Sequence, residues 1–198
     1  MKLLLATTSP NKILEQLQAL EGLPFELVSL SDFPDLVAPA EPGPGFRDNA
    51  AVKALYYHRA TGLAAVGEDS GLEVDALDGA PGVQSARWMG HDTPYRVKNQ
   101  RLLERLAHVA ESARTARFVS AVALADSGKL MFQGQETCEG RIAGAQAGTG
   151  GFGYDPVFYY PPMDRTLAEM SPEDKNRVSH RGKAMAVLRA YLEKLISS

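Results

Sequence analysis

The sequence predicts an α/β protein, because strands and helices alternate at its start and long strands and a helix follow. A short apolar strand at Lys2–Ala6, a helix and a strand at Phe25–Leu30 make a β–α–β opening. Two long strands, Thr115–Ala125 and Lys129–Cys138, are separated by a short turn with Ser and Gly. An amphipathic helix is predicted from about His180 to Ile196.

The elements between these segments are predicted from the same periodicities. A loop rich in Pro, Gly and acidic residues covers Ser31–Gly45, and its length indicates a function. One helix is predicted over about Phe46–Thr61 and another over Thr93–Ser112. Two short strands, Ala64–Gly67 and Leu72–Val74, are predicted on either side of a polar bend.

The composition indicates one compact domain over residues 1–198. Of the 198 residues, 44% are hydrophobic and 23% are charged, as in ordinary globular proteins. A net charge of −3, without a basic tail, gives nucleic-acid binding no electrostatic support. The single Cys138 excludes an intrachain disulfide, and the apolar run Leu3–Ala6 is too short for a signal peptide or a membrane span. We therefore expect a cytoplasmic protein with no membrane partner.

Two neighbouring acids, Glu68 and Asp69, lie in the predicted polar bend. Such a pair suits Mg²⁺, which takes one or two protein carboxylates, keeps several waters and engages substrate phosphates. A solvated turn is the alternative. Ser70 follows directly, and a serine hydrolase with His180 or His91 as base is a third hypothesis, which the adjacent carboxylates disfavour.

The predicted helix from Phe46 carries Asn49 and Lys53 four residues apart, so both lie on one face. Glu41 and Asp48 precede Lys53. A carboxylate, metal and lysine cluster around a phosphate is one interpretation of this segment. Ordinary surface charge is the other.

Two further segments have ligand-binding compositions. The run Gly148–Gly153 contains the letters of a dinucleotide-binding motif, but no predicted strand or helix flanks it, so that site is not expected. Its glycines permit either close approach of backbone to a ligand or a tight turn. Lys175, His180 and Arg181 precede or begin the last helix, where an anion would offset their charge; an exposed basic turn is the alternative.

Five segments, in this order, resemble the inosine triphosphate pyrophosphatase family, and the resemblance covers nearly the whole chain. They are Leu5–Lys12, Phe46–Ala54, Glu68–Leu72 with Gly79–Arg87, Gly151–Phe158 and Ser179–Ala184. The resemblance implies an elongated central mixed β-sheet flanked by helices, with two lobes around a cleft. It also implies a homodimer that hydrolyses ITP, dITP and XTP to the monophosphate and pyrophosphate with Mg²⁺.

The same resemblance assigns residues to the triphosphate and the metal. The first turn, which would bind phosphate, contains Thr7, Thr8, Ser9, Asn11 and Lys12. Lys53 matches the family's phosphate-contacting lysine, and Asp69 its essential carboxylate. Glu41 and Glu68 match the metal partners of Asp69, and Ser70 would bind substrate beside them.

A second set of residues is assigned to the purine. Phe152 would stack on the base, and the other residues of its pocket would be Gly153, Tyr154 and Asp155. Lys175, His180 and Arg181 would address the purine edge. Donors from His180 and Arg181 would suit O6 of hypoxanthine or xanthine and mismatch the adenine amino group.

Two departures from the family pattern concern the phosphate turn and the acids. Ser9 and Pro10 change the first turn, although proline is well suited to begin a helix. The usual pair of aspartates is Glu68 and Asp69 here. Two other functions remain open: a Maf-like pyrophosphatase acting on pyrimidine or modified nucleotides, and a nucleotide-binding module without catalysis, which Lys53 and Asp69 disfavour.

Overall fold

The structure is a computed structural model that describes residues 1–40 and 43–197. Its strands are β1 (Lys2–Leu5), β2 (Glu26–Ser29), β3 (Ala64–Val74), β4 (Thr115–Asp126), β5 (Lys129–Ile142), β6 (Phe158–Tyr160) and β7 (Arg165–Thr166). They form one sheet in the order β2-β1-β3-β4-β5-β6-β7. Strand β1 is parallel to β2 and β3, whereas β6 is antiparallel to β5 and β7. The predicted mixed sheet is confirmed.

Five α-helices accompany the sheet in the described part of the chain. They are α1 (Pro10–Leu20), α2 (Phe46–Thr61), α3 (Tyr95–Arg105), α4 (Pro172–Val178) and α5 (His180–Ile196). Proline begins α1, and Gly62 ends α2 in the left-handed region at φ 71°. In the described residues, no helix combines the length and the apolar character needed to span a bilayer.

The predicted bounds of α2 and α5 are confirmed, and strands β1, β2, β4 and β5 lie within a few residues of their predictions, whereas the predictions for β3 and α3 were wrong. Strand β3 runs unbroken through the polar residues that were predicted to bend, because those side chains find buried partners and the backbone can stay extended. Helix α3 is shorter than the predicted Thr93–Ser112. Its N-cap is Pro94, and a residue before proline avoids the helical region, which excludes Thr93 from the helix. Helix α4 and the short strands β6 and β7 were not predicted.

The chain divides into two compact units. Unit 1 comprises Met1–Ser70, Ser120–Glu136 and His180–Ser198, and unit 2 comprises Gly71–Val119 and Thr137–Ser179. In unit 1, successive residues of β1 are buried in different clusters, as the alternation of a strand requires. Leu3 and Leu5 pack in one cluster with Leu188, and Leu4 packs in another with Tyr57.

Unit 2 has a core of its own. Leu102 of helix α3 and Leu106, which directly follows the helix, are fully buried in it with Val157. The rings of Phe118 and Phe158 pack within this core at a centroid distance of 4.6 Å. Each unit therefore has a hydrophobic core that can fix the positions of the polar side chains around it.

Candidate functional site

Helix α2 packs directly on strand β3 because β3 has a glycine at the contact. A Cβ atom on Gly67 would lie 2.2 Å from the Ala50 carbonyl oxygen and 2.5 Å from the Ala54 nitrogen. Any side chain there would push the helix away. The close approach brings the polar face of α2, with Asn49 and Lys53, to the next residues of β3.

Asp69 receives a hydrogen bond from α2 on each carboxylate oxygen. Lys53 Nζ donates to Oδ1 over 3.0 Å and also to the Glu68 backbone carbonyl over 3.1 Å. Asn49 Nδ2 donates to Oδ2 over 3.1 Å, while Asn49 Oδ1 accepts from the Gly43 backbone N–H at 2.9 Å. Asn49 is fully buried. These contacts fix the Asp69 carboxylate in one orientation.

Glu68 makes a separate set of contacts, because successive residues of a strand point to opposite faces. Its Oε1 accepts from Ser120 Oγ at 3.1 Å and from Arg181 Nε at 3.0 Å, and its Oε2 accepts from Gln16 Nε2 at 3.0 Å. Burial favours the neutral acid, but Arg181, Lys12 and His180 outweigh it and hold the pKa of Glu68 far below its usual range. Glu68 is therefore a buried, ionised carboxylate.

Arg181, at the start of α5, is the buried cation of this network. Its Nη1 donates to Glu15 Oε2 over 2.5 Å and its Nη2 to Ser70 Oγ over 3.0 Å, in addition to the bond from Nε to Glu68. The Ser70 hydroxyl in turn hydrogen-bonds Glu68 and lowers its pKa. The hydroxyl proton is thus directed to a carboxylate, which disfavours the hypothesis of a serine nucleophile activated by histidine.

A cavity of about 140 Å³ opens in unit 1 beside these residues. Two lysines line it, Lys12 and Lys53, together with Thr7, Thr8 and Glu68. Lys12 Nζ lies 3.6 Å from Glu68 Oε2. Desolvation lowers the pKa of Lys12, and the positive charges of Arg181 and Lys53 lower it further. The nearby carboxylates act in the opposite direction but do not restore the usual value. An anion in the cavity would favour the charged form of Lys12.

The predicted phosphate turn leads from β1 into α1 along one wall of this cavity. The Ser9 backbone N–H donates to Thr7 Oγ1 over 3.2 Å, and Ser9 is the N-cap of α1. Its side chain makes no capping hydrogen bond within the described residues. The N–H groups of the first helical turn, which includes Asn11, are thus not satisfied by the N-cap side chain, a common arrangement for anion binding.

The acids differ in how well they fit a divalent cation. An ionised carboxylate has about four lone-pair sites. Asp69 uses one for Lys53 and one for Asn49, which leaves room for a hard cation such as Mg²⁺. Glu68 accepts from Ser120, Arg181, Gln16 and Ser70 and has less capacity left. Glu41 lies outside the described residues, and the described ones contain no group of three His, Cys, Asp or Glu arranged to hold a metal.

Of the residues predicted for the purine, unit 2 contains Phe152, Gly153, Tyr154, Asp155 and Lys175, whereas His180 and Arg181 belong to unit 1. Asp155 Oδ2 accepts from the Phe152 backbone N–H at 2.7 Å and from Lys175 Nζ at 2.8 Å, in a buried ion pair. Lys175 Nζ also lies 4.6 Å from the centroid of the Phe152 ring, a cation–π contact. The ion pair therefore fixes the positions of both the backbone N–H and the ring of Phe152.

Tyr154 is anchored in the core below this loop. Its hydroxyl donates to the Ser85 backbone carbonyl over 3.0 Å, and Ser85 Oγ accepts from the Leu72 backbone N–H at 2.8 Å. The Tyr95 ring meets the Tyr154 ring edge to face at a centroid distance of 5.3 Å. Desolvation raises the pKa of Tyr154, so its hydroxyl stays a donor at neutral pH.

Several predicted residues thus come together within a unit: Lys12, Lys53, Glu68, Asp69, Ser70 and Arg181 in unit 1, and Phe152, Asp155 and Lys175 in unit 2. His180 is buried at the start of α5, where its charge acts on Glu68. Glu15, Gln16 and Ser120 also belong to the site, although they were not predicted. Gln16 stands four residues after Lys12 on α1, and Ser120 interrupts an apolar face of β4; both patterns are visible in the sequence.

Comparisons with known proteins agree with the resemblance described above. A dITP/XTP pyrophosphatase of Geobacter sulfurreducens is 44% identical over 191 residues, covering 96% of both chains. A dITP/XTP pyrophosphatase of Thermus thermophilus is 48% identical over 194 residues, covering 96% of this chain and 92% of that protein.

Solved structures match as well. A HAM1 protein from Coxiella burnetii superposes with a TM-score of 0.89 at 35% identity, covering 98% of this chain and 99% of that one. A nucleoside-triphosphatase / dITP/XTP pyrophosphatase from Mycobacterium abscessus superposes with a TM-score of 0.76 at 44% identity, over 95% and 98% of the two chains. The model of the Ham1 family matches residues 3–191, and the chain belongs to this family.

Proposed function

We propose that this protein hydrolyses nonstandard purine nucleoside triphosphates (ITP, dITP and XTP) to the monophosphate and pyrophosphate. The observation that carries the proposal is the pairing of Asp69 with Lys53 and Asn49 beside a cavity lined by Lys12 and Lys53. The names of the relatives, which are dITP/XTP pyrophosphatases at 41–48% identity, support the substrate class.

In this proposal, the triphosphate occupies the cavity of unit 1. The first turn of α1 offers backbone N–H groups, and the neighbouring hydroxyls of Thr7, Thr8 and Ser9 offer further donors. Lys12 and Lys53 supply positive charge where negative charge develops on the leaving pyrophosphate. Catalysis is then mainly electrostatic and positional.

Asp69 is the acid that would hold Mg²⁺ or the attacking water, with Glu41 as the second metal ligand. Bound Mg²⁺ supplies charge that offsets the negative charge of the triphosphate. Lys53 and Asn49 keep the Asp69 carboxylate aligned. Glu68 as a metal ligand stays a prediction, and its contacts support a second task, the orientation of Arg181 and Ser70.

The base pocket in this proposal is built on Phe152, Gly153, Tyr154 and Asp155. Phe152 stacks on the purine, and Lys175 holds Asp155 so that the ring keeps its position. Lys175, His180 and Arg181 remain the predicted contacts to the purine edge. A buried donor that meets O6 of hypoxanthine or xanthine would be left unpaired by adenine, and such mismatches discriminate strongly.

The test is pyrophosphate release from ITP, dITP, XTP, GTP and ATP, each with and without Mg²⁺. We expect rapid release from the first three only, and loss of that release when EDTA removes the metal. Preference for a pyrimidine nucleotide in an extended panel would favour a Maf-like activity. Binding of ITP without any product would favour a nucleotide-binding module. The homodimer and the cytoplasmic location stay predictions, the first of which size-exclusion chromatography with light scattering can test.

A further inference from the structure

We propose that Asn99 is a positioning residue for the base loop, which we define as Phe152–Asp155. Its side-chain amide fixes the backbone carbonyl of Gly153 and so sets how well the loop accepts the nucleobase. The inference rests on the proposed function, because that function assigns the base loop to the purine. Asn99 itself would not contact the substrate.

Helix α3 contacts the base loop through two side chains that lie one turn apart. Asn99 Nδ2 donates to the Gly153 carbonyl over 3.1 Å. Tyr95, four residues earlier, packs its ring edge to face against Tyr154 and lies along Gly153. Residues four apart share a helix face, so α3 holds two consecutive residues of the loop.

Gly153 has the least restricted backbone of the loop, because it carries no side chain. Its φ of +69° lies in the left-handed region, which glycine adopts without strain. The flanking residues are held by hydrogen bonds of their own: the Phe152 N–H donates to Asp155, and the Tyr154 hydroxyl donates to the Ser85 carbonyl. The hydrogen bond from Asn99 restrains the flexible glycine between them. Without it, the peptide plane after Gly153 could rotate.

Stability alone does not account for an amide at this position. Asn99 is 1% exposed, and its Oδ1 is buried with no hydrogen-bond partner among the described residues. Buried polar atoms are normally paired, and an unpaired one is unfavourable. A leucine of similar shape would remove that unfavourable atom. What the amide provides, and leucine would not, is the hydrogen bond to Gly153.

The decisive variant is therefore Asn99→Leu, with Gln100→Leu as its matched control. Gln100 is the next residue of α3, and its amide bonds only Glu104 on the exposed surface among the contacts described. Three quantities are measured for each variant: kcat and KM for ITP, the inhibition constant of inorganic tripolyphosphate, and the thermal unfolding midpoint. Tripolyphosphate probes the phosphate residues, which belong to unit 1, whereas Asn99 and the base loop belong to unit 2.

For Asn99→Leu we expect the KM for ITP to rise roughly tenfold, the effect of one hydrogen bond. The inhibition constant of tripolyphosphate should stay within about twofold, and the unfolding midpoint within about 5 °C, because the lost bond and the lost unpaired oxygen offset each other. Gln100→Leu should match the wild type. Asn99→Ser, which is too short to reach Gly153, should repeat the result and replaces Asn99→Leu if that variant does not fold.

Two outcomes overturn the role of Asn99: an unchanged KM for ITP, or a KM that rises in parallel with the inhibition constant of tripolyphosphate, which indicates a general structural defect. A wild-type protein that releases no pyrophosphate from ITP contradicts the proposed function and this inference with it. An active wild type with an unchanged Asn99→Leu variant contradicts the inference alone.

Discussion

Arg181 and Glu68 form an ion pair in which Nε donates to Oε1 over 3.0 Å, and the two side chains are only 3% and 1% exposed. A charge buried this deeply depends on its partner, because neither group is solvated by water. Arg181 also binds Glu15 and Ser70. It therefore has a structural task in unit 1, in addition to the purine contact predicted from the resemblance.

We expect Arg181→Ala to lower the free energy of unfolding by about 3–5 kcal/mol, because the substitution leaves Glu68 and Glu15 without their buried cation. Urea unfolding followed by circular dichroism measures the effect. The control is Arg177→Ala, which breaks an exposed pair with Asp174 and should cost at most about 1 kcal/mol. If both variants are equally stable, the ion pair between Arg181 and Glu68 does not contribute to the free energy of unfolding.

The double variant Arg181→Met with Glu68→Gln separates charge from packing. It removes both members of the ion pair, so no unpaired charge remains in this contact. We expect it to be more stable than Arg181→Ala, by about 1–3 kcal/mol. Turnover should be lost in both, since Ser70 loses the donor that orients its hydroxyl.

Asp69→Asn tests the carboxylate itself. Asparagine keeps the shape and can still accept from Asn49, but it removes the negative charge that Lys53 and a metal would meet. We expect pyrophosphate release to fall at least roughly a hundredfold and the free energy of unfolding to change by no more than about 2 kcal/mol. Asp75→Asn, at an exposed acid bonded to Thr115 and Arg117, should keep full turnover. Normal turnover in Asp69→Asn would remove the proposed mechanism.

The sequence predicts an element correctly where the residues within and next to it determine its bounds. Helix α2 ends before Gly62, which adopts the left-handed region that typically follows a helix, and α5 carries apolar residues at helical spacing. Strand β3 could not be predicted as one strand. Its polar residues look like a bend in the sequence, and only distant partners such as Ser120 and Arg181 make their burial possible.

The site was predictable in its residue types but not in its pairings. The sequence places Asn49 and Lys53 on one face of a helix, yet nothing in it indicates that Gly67 brings that face onto Asp69. Likewise, Arg181 follows Glu68 by 113 positions, and their contact is fixed by the fold alone. Tertiary contacts of this kind are the part that composition and periodicity do not encode.

The two hydrogen bonds of His58 favour the tautomer that carries its proton on Nδ1. The Gly128 backbone N–H donates to Nε2 over 2.9 Å, so Nε2 is the acceptor, and Nδ1 lies 2.7 Å from the Leu63 carbonyl oxygen, which needs a donor. Long-range ¹⁵N–¹H NMR should show the Nδ1–H tautomer; an Nε2–H pattern would contradict these contacts. His58→Ala should cost about 1–3 kcal/mol of unfolding free energy, whereas His91→Ala, at an exposed site, should cost almost nothing.

Gly67→Ala tests whether the close packing of α2 on β3 sets the geometry of Asp69. The added methyl group would meet the Ala50 carbonyl and the Ala54 nitrogen at 2.2 and 2.5 Å, and backbone atoms of a helix have little room to yield. The helix must move, and the bonds from Asn49 and Lys53 to Asp69 lengthen with it.

We expect Gly67→Ala to lose about 1–3 kcal/mol of unfolding free energy and most of its turnover, even at temperatures where it is fully folded. Gly45→Ala is the matched control, because the nearest atom to its Cβ is an Asp48 carboxylate oxygen at 3.4 Å and its φ of −133° is ordinary. A folded Gly67→Ala variant with wild-type turnover would mean that the Asp69 carboxylate is oriented by something other than its contacts with α2.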